Sequence, residues 1–495
     1  MSFDAALKGF YAHLEELYRL RSIGALLGWD QQVNLPENGA ASRAEQLECL
    51  SRIIHQRKTS PGFCALVDDL HAQSSALTED DLVNVREIKR QLDIEKKLPE
   101  EFVAEKTRIC SLSYIAWTKA RPAGDFAAVK PHLQKVIELS RREAELIGFR
   151  EHPYDALLDQ FEPHMTLAQV KPLLLSLAER LGGIVPAIAE KTAGEVPVTG
   201  GVPEGSQAKL CARLAAGIGY DFKSGRLDKT HHPFESSLGR NDVRITTRYL
   251  ADDFLSSVFS VLHETGHALY ELGLPQERRG TPLGSAVSYG IHESQSRLWE
   301  NIVGRSRAYS IYLHRMLKRF LPRVHKALSP EAVWLLCNRV RPSLIRVEAD
   351  EVTYSLHVVI RMLLEEELIA GNLQVDDLPG AWNGLYEKFM GIRPSSDREG
   401  VLQDVHWYSG AIGYFPSYAL GNLYGALFMG SARKALPDLD RQIEAGEFAP
   451  LLKWLRANVH VHGMRYRARE LVEKVSGQTL SSGPFVEYLC AKFGV

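Results

Sequence analysis

Residues 253–275 read DFLSSVFSVLHETGHALYELGLP, and this stretch decides how the rest of the chain is understood. Leu255, Val258, Phe259, Leu262, Gly266 and Leu269 recur at three- and four-residue steps, the spacing of a helix packed on its apolar side. Asp252 or Asp253 suits the start of that helix, and Gly273 with Pro275 suits its end. Inside it lies His263-Glu264-Thr265-Gly266-His267, an H-E-x-x-H run. Two imidazoles four residues apart share one helix face and aim at a common point, as a tetrahedral zinc site requires. Glu264, turned about 100° around the axis from His263, is placed to take a proton from a coordinated water. The pattern thus supplies two ligands and a base, the minimum for metal-assisted hydrolysis. With 17 His in 495 residues, chance produces such a run in roughly a few per cent of chains. The apolar context argues against two satisfied core histidines, because burying two imidazoles and a carboxylate together is costly unless something pairs with them.

A catalytic metal needs a third protein ligand and one open position. The extended motif that would place Gly at 270 and His at 273 is absent, since Tyr270 and Gly273 stand there. Glu271 shares the helix but points past the metal, and Glu277 sits in a polar loop, PQERRG. Glu293 and Glu300 lie in SYGIHESQSRLWENIVG, a second helical stretch whose apolar side is Ile291, Leu298, Trp299 and Ile302. Glu293 is the preferred third ligand and Glu300 the alternative. An ion pair of Glu293 with Arg297, four residues on, is the plainer reading of that residue.

Hydrophobic content of 45% and charged content of 24% are ordinary for a globular chain able to bury a large core. A net charge of −2 gives no reason to expect nucleic acid or a membrane as partner. The N-terminal MSFDAALKGFYAHLEEL carries acids early, unlike a signal peptide, and no apolar run is expected to span a bilayer. Cysteines 49, 64, 110, 211, 337 and 490 lack C-x-x-C spacing and read as reduced thiols of a cytoplasmic protein.

Helical periodicity covers 3–28 and roughly 80–97, 100–120, 126–148, 167–194 and 206–217. It resumes over about 296–327, 330–341, 347–370, 375–390, 417–436 and 449–473. Only 219–250 changes character, with glycines, a proline and alternation at Val243, Ile245 and Thr247, and it reads as a small strand-bearing segment. An exposed edge strand there could hold an extended peptide by main-chain hydrogen bonds. Residues 195–205 read as a turn-rich loop. The expectation is a mainly α protein, one large helical domain over 1–495, with a small sheet beside the H-E-x-x-H helix and a metal-binding core over 251–300.

HETGH followed by HESQSRLWEN resembles the thermostable carboxypeptidase Taq family of zinc metallocarboxypeptidases. Further segments fit that family's order: GWDQQVNLP from Gly28, RAEQ from Arg43, HPF at His232–Phe234 and DVRITTRY from Asp242. IRVEADEVTY from Ile345 and GVLQDVHW from Gly400 complete the set. The resemblance implies a metal-dependent carboxypeptidase of broad specificity with a deep groove, a homodimeric state, and one Zn2+ per subunit that Co2+ can replace. It also implies peptides with a free C-terminus as substrates, for which a cation must bind the terminal carboxylate, and arginine's fork suits both oxygens. Arg346 is the first candidate, with an ion pair to Asp350 as the alternative. Arg244 could serve instead, or could lock its strand against Asp242, and Arg393 is weaker. His406, flanked by Asp404, and Tyr418, near Tyr414, are candidates for stabilising the carbonyl oxygen as it gains charge. His232, Asp242 and Thr246 are candidates for lining the peptide groove, while His231 and His292 read as supporting residues. A zinc oligoendopeptidase with the same ligands is the alternative enzyme. A non-catalytic zinc scaffold is disfavoured because a structural site has no need of Glu264.

Overall fold

Three short strands, Leu227–Lys229 (β1), Glu235–Gly239 (β2) and Asp242–Thr247 (β3), form the sheet, and helices build most of the rest of the described chain. The computed structural model describes residues 2–195 and 200–495, so part of the loop expected at 195–205 lies outside it. β3 is central, parallel to β1 and antiparallel to β2, with Ile245 facing Leu227 on one side and Glu235 on the other. The tight connection from β2 to β3 contains Asn241 at φ 55°, a left-handed conformation that asparagine tolerates. Val243 and Ile245 turn inward and pack with Cys211, Ala215, Tyr220, Val261 and Ala268. The sheet is thereby fastened to the helix Phe254–Gly273, hereafter the metal helix.

That helix starts as the sequence implies: Asp253 caps it, its carboxylate accepting from Ser256 N at 3.2 Å. A second helix, Tyr289–Arg297, is capped by Ser288 and crosses the first at very short range. A Cβ on Gly266 would fall 2.6 Å from the Gln295 carbonyl oxygen, so only glycine permits this approach. The long buried helix Phe415–Ala435 closes in from the other side, where a Cβ on Gly421 would lie 2.7 Å from Glu293 Cγ.

Several boundaries differ from the periodicity. The helix expected over 296–327 is interrupted: a π-turn spans Leu298–Val303, marked by Gly304 N donating to Trp299 O at 2.9 Å, and a new helix runs Arg307–Phe320. The helix expected from 347 starts at Tyr354, because Asp350 accepts from Val352 N, Thr353 N and Thr353 Oγ1 and folds the preceding residues into a turn. Helices Ala40–Lys58, Pro61–Ala72 and Gly483–Phe493 carry no expectation from periodicity; the first buries only Arg43 and so shows no apolar stripe. One helix, Leu167–Lys191, is after all long and apolar enough to cross a bilayer. Leu174, Leu177, Leu181 and Ile188 on it are buried in the main core, which accounts for its apolarity.

The N-terminal helices keep a small core of their own, including Phe10, Leu14, Phe63, Val67, Leu70 and Ile88. Polar ties join them to the metal region: Arg240 to Glu15 at 2.6 Å, Arg278 to Asp80 at 2.5 Å, and Arg90 to Asp159 at 2.7 Å. Between these two parts lies a cavity of about 980 Å³.

Behind it, Glu365 is fully buried and accepts from Tyr154 Oη at 2.7 Å, Trp407 Nε1 at 2.8 Å and Gly413 N at 3.1 Å. Burial raises its carboxyl from 4.5 to about 7, so the folded protein favours the protonated form. Its contribution to stability is therefore complete below pH 4.5 and is lost as pH rises through about 7, an effect of about 3 kcal/mol. Thermal unfolding measured across this range should show a Glu365→Gln variant with a flatter decline than the parent; equal slopes would refute the assignment.

Candidate active site

The metal helix presents His263 and His267 on one face, as the four-residue spacing requires, with their Nε2 atoms 3.2 Å apart. Glu293 comes from the crossing helix, its Oε2 3.7 Å from His263 Nε2 and 3.4 Å from His267 Nε2. Ligands bonded at about 2.0–2.1 Å in a tetrahedron lie about 3.3–3.4 Å apart. Edges of 3.2, 3.4 and 3.7 Å come close to one face of that figure, so the residues fit a cation of this kind. The pairing of Glu293 with Arg297 is also real: Arg297 Nε donates to Oε1 at 2.7 Å, while Oε2 accepts from Ser296 Oγ at 3.0 Å and faces the histidines.

Each imidazole is braced from behind. His263 Nδ1 lies 2.8 Å from Glu300 Oε2, so Glu300 sits behind the imidazole, outside the cluster of His263, His267 and Glu293 that could hold a cation. The π-turn that contains Glu300 also lets Arg297 and Arg305 reach its carboxylate. His267 Nδ1 lies 2.6 Å from His292 Nδ1. Glu271 points past the cation position, as expected, and pairs with Arg279 at 2.6 Å.

The surrounding charge favours a cation. Burial works against charge on His263, yet Glu293, Glu300 and Glu264 outweigh it and push the imidazole up to about 9. Burial and the neighbouring His292 press His267 down to about 3. Burial also opposes ionisation of Glu293, but Arg297 and both histidines hold it well below the usual carboxylate range. Glu264 is raised to about 7 by burial, and its carboxylate lines the cavity beside His267 and Glu293.

The cavity wall opposite carries Phe161, Tyr289, Tyr414 and Tyr418, with Pro233, Phe234 and Glu235 beside the sheet. His406 Nε2 lies 3.2 Å from Tyr418 Oη, while its Nδ1 remains 4.0 Å from Asp404. Burial and Arg346 depress the His406 imidazole to about 4.

Arg346 stands in a short turn, not on a helix, and is buried behind Tyr418, its guanidinium carbon 5.1 Å from that ring's centre. The expected alternative of an Asp350 pair is wrong, because the chain turns at Asp350. Arg346 Nε and a terminal nitrogen instead bind Asp404 Oδ1 at 2.9 and 2.8 Å, and Tyr354 Oη takes the third bond at 3.0 Å. Asp404 accepts a second guanidinium, Arg361 Nε to Oδ2 at 2.6 Å. Two buried cations thus share one carboxylate, which they hold well below its ordinary range despite burial.

Of the residues expected to act on the substrate, Tyr418 walls the cavity, whereas Arg346 and His406 lie behind it and Asp242, Arg244 and Thr246 are not among the lining residues either. Arg244 binds Asp242 through Nε and a terminal nitrogen, each at 2.9 Å, and stacks on Trp29 at 4.3 Å, locking β3 to the N-terminal helix Phe3–Val33. Thr246 is fully buried and fixes Phe234 through both its backbone N and O. His232 is exposed, although the next two residues reach the cavity. Arg393 pairs with Glu387 on the surface. Sequence reasoning missed Arg361, whose signal is a single charge within the apolar run HVVIRMLL, which burial obliges to find a partner. It also missed Glu235, a cavity-lining carboxyl raised to about 8 by burial and Glu271.

Two imidazoles, a carboxylate and an adjacent Glu opening on a cavity between helical walls define an H-E-x-x-H metallopeptidase site. The family described as carboxypeptidase Taq (M32) metallopeptidase matches residues 9–493, and the chain belongs to that family. Thermostable carboxypeptidase 1 of Thermus thermophilus is 41% identical over all of this chain and 99% of its own length. Carboxypeptidase 1 of Bacillus subtilis is 38% identical over 98% of this chain and 97% of its own. A solved M32 carboxypeptidase from Deinococcus radiodurans R1 superposes with a TM-score of 0.96 at 40% identity, each chain 99% covered. The protein is a metallocarboxypeptidase, a peptide hydrolase that acts with a divalent metal.

Proposed function

We propose that His263, His267 and Glu293 hold one Zn2+, which Co2+ can replace, and that the enzyme removes single residues from free peptide C-termini. The observation that carries this is the triangle of Nε2, Nε2 and Oε2 atoms at 3.2, 3.4 and 3.7 Å beside the Glu264 carboxylate. When bound, the cation supplies Lewis-acid polarisation of the scissile carbonyl and makes a water acidic enough to lose a proton near pH 7. Glu264 takes that proton on its carboxylate and returns it to the departing amine. Tyr418, braced by His406, donates its phenol toward the carbonyl oxygen as that atom gains charge. The Arg346–Asp404–Arg361 cluster, two guanidinia on one carboxylate, sits behind Tyr418, and its excess positive charge favours the terminal carboxylate of the peptide at that end of the cavity. Phe234 and Glu235 extend the cavity along β2, an edge strand able to align an extended peptide. The family resemblance supports a homodimer, and six free thiols suit a reducing, cytoplasmic setting.

Chelation should abolish hydrolysis of a free peptide, and stoichiometric Zn2+ or Co2+ should restore it, while the C-terminally amidated peptide stays uncut throughout. Cleavage of the amidated peptide at a similar rate would refute exopeptidase action and favour the oligoendopeptidase. An Arg346→Ala enzyme should keep its metal and lose about 1.5–3 kcal/mol of binding, a rise in KM of roughly 10–100-fold. Unchanged KM would remove Arg346 from carboxylate recognition.

A further inference from the structure

The acids that line the cavity are not equally provided for. Glu95 pairs with Lys58, Asp159 with Arg90 at 2.7 Å, and Glu293 with Arg297 at 2.7 Å. Among the described residues, Glu264 and Glu235 are the two cavity-lining acids with no basic side chain in ion-pair reach. Glu264 has its own task as the base. Glu235 has none. One of its oxygens lies 3.0 Å from Ser237 Oγ, and that hydroxyl is also 3.0 Å from Glu271 Oε2. A hydroxyl carries one proton and cannot donate to both carboxyls. Glu271 is otherwise supplied, by Arg279 at 2.6 Å and His292 at 3.1 Å. Glu235 is not. Burial and then Glu271 shift its carboxyl upward, the direction of an acid that lacks a countercharge.

Its place decides which part of a peptide it meets. Tyr418, with Arg346 behind it, stands beside Glu293. Glu235 stands instead at the end of the site where Ser237 links it to Glu271, one helical turn beyond His267 on the metal helix. A peptide with its terminal carboxylate toward Tyr418 and its last amide at the metal position runs its preceding residues toward β2. That strand is an edge strand, and its first residue, Glu235, reaches the cavity beside Phe234.

We propose that Glu235 is a specificity-determining residue, favouring peptides that carry a cationic group on the acyl side of the bond cleaved. This rests on the carboxypeptidase reading above. The cation is an ammonium or guanidinium, supplied by a Lys or Arg side chain or by the free amino end of a short peptide. As it binds, the Glu235 carboxyl releases its proton to solvent and pairs with it. An acidic side chain in the same place meets a second carboxyl and is disfavoured.

Two matched pairs of peptides, all with the same departing residue, separate the sources. One pair is N-acetylated and carries Lys or norleucine just before the departing residue. The other is a dipeptide with its amino end free or acetylated. At pH 8 lysine is charged, and an α-amino group and Glu235 are each about half charged. The ratio of kcat/KM for the cationic member to that for its uncharged match should fall about 10-fold in one pair on Glu235→Gln, the effect of one charge-assisted hydrogen bond. A fall in the Lys pair assigns the side chain, and a fall in the dipeptide pair assigns the amino end; either supports the role. Each ratio is taken within one protein, so a general loss of activity in the variant does not imitate the result. Glu235→Ser gives the same readout if the Gln variant does not fold. Ratios within twofold of the parent's in both pairs overturn the role. A change confined to the preference for Lys over norleucine as the departing residue puts Glu235 on the leaving side and overturns it too. A parent that cleaves none of these peptides overturns the carboxypeptidase reading itself, whereas cleavage with ratios that ignore the substitution overturns this role alone.

Discussion

Glu264→Gln is expected to bind zinc as tightly as the parent protein and to lose about 10²–10⁴-fold in kcat on peptides. Glutamine keeps the shape of the side chain and can still hydrogen-bond water, but it cannot take a proton. The neighbouring triangle is built by other residues, so metal content should be unaffected. Metal analysis and steady-state kinetics on one preparation test both halves. Hydrolysis at the parental rate would eliminate Glu264 as the base, while loss of the metal would make it a ligand instead.

Asp404→Ala is expected to destabilise the fold by about 3–5 kcal/mol, the usual consequence of leaving a buried charge without its partner. Two guanidinia are affected: Arg346 is 5% exposed and Arg361 is fully buried, and both bind this one carboxylate. Removing Asp404 leaves two cations facing each other in an apolar surrounding, with Tyr354, Tyr386 and the His357 carbonyl as their remaining partners. Denaturant unfolding of parent and variant measures the difference. A loss below about 1 kcal/mol would show that the cluster is balanced by something other than Asp404.

The metal site divides cleanly into a local part and an assembled part. His263, Glu264 and His267 were legible because a helix imposes one geometric relation on residues one and four apart, whatever surrounds it. Asp253 as the cap was legible for the same reason. Glu293 required a choice among four downstream acids. Its neighbour Arg297 pointed to an ordinary ion pair; in the structure one oxygen makes that pair and the other faces the histidines.

Arg346 shows where local reasoning stops. Its spacing to Asp350 suggested a helical pair, but Asp350 spends its oxygens on the backbone of its own turn. The partner is Asp404, from a distant loop. Arg361, Glu300 and His292 are likewise defined by what packs against them, and the short approach at Gly266 and Gly421 brings those helices together. The helix Ala40–Lys58 escaped notice because it buries almost nothing, so its sequence carries little periodic signal.

Sequence alone determined the helical architecture, the position of the small sheet before the metal helix, and the pair of imidazoles with their adjacent acid. These follow from relations within one element, where backbone hydrogen bonding dictates the spacing. Tertiary structure decided which carboxylate completes the triangle, which groups orient the two rings, and that a two-arginine cluster stands behind Tyr418. Those contacts join helices far apart in the chain, and their geometry depends on how side chains interlock where the helices cross.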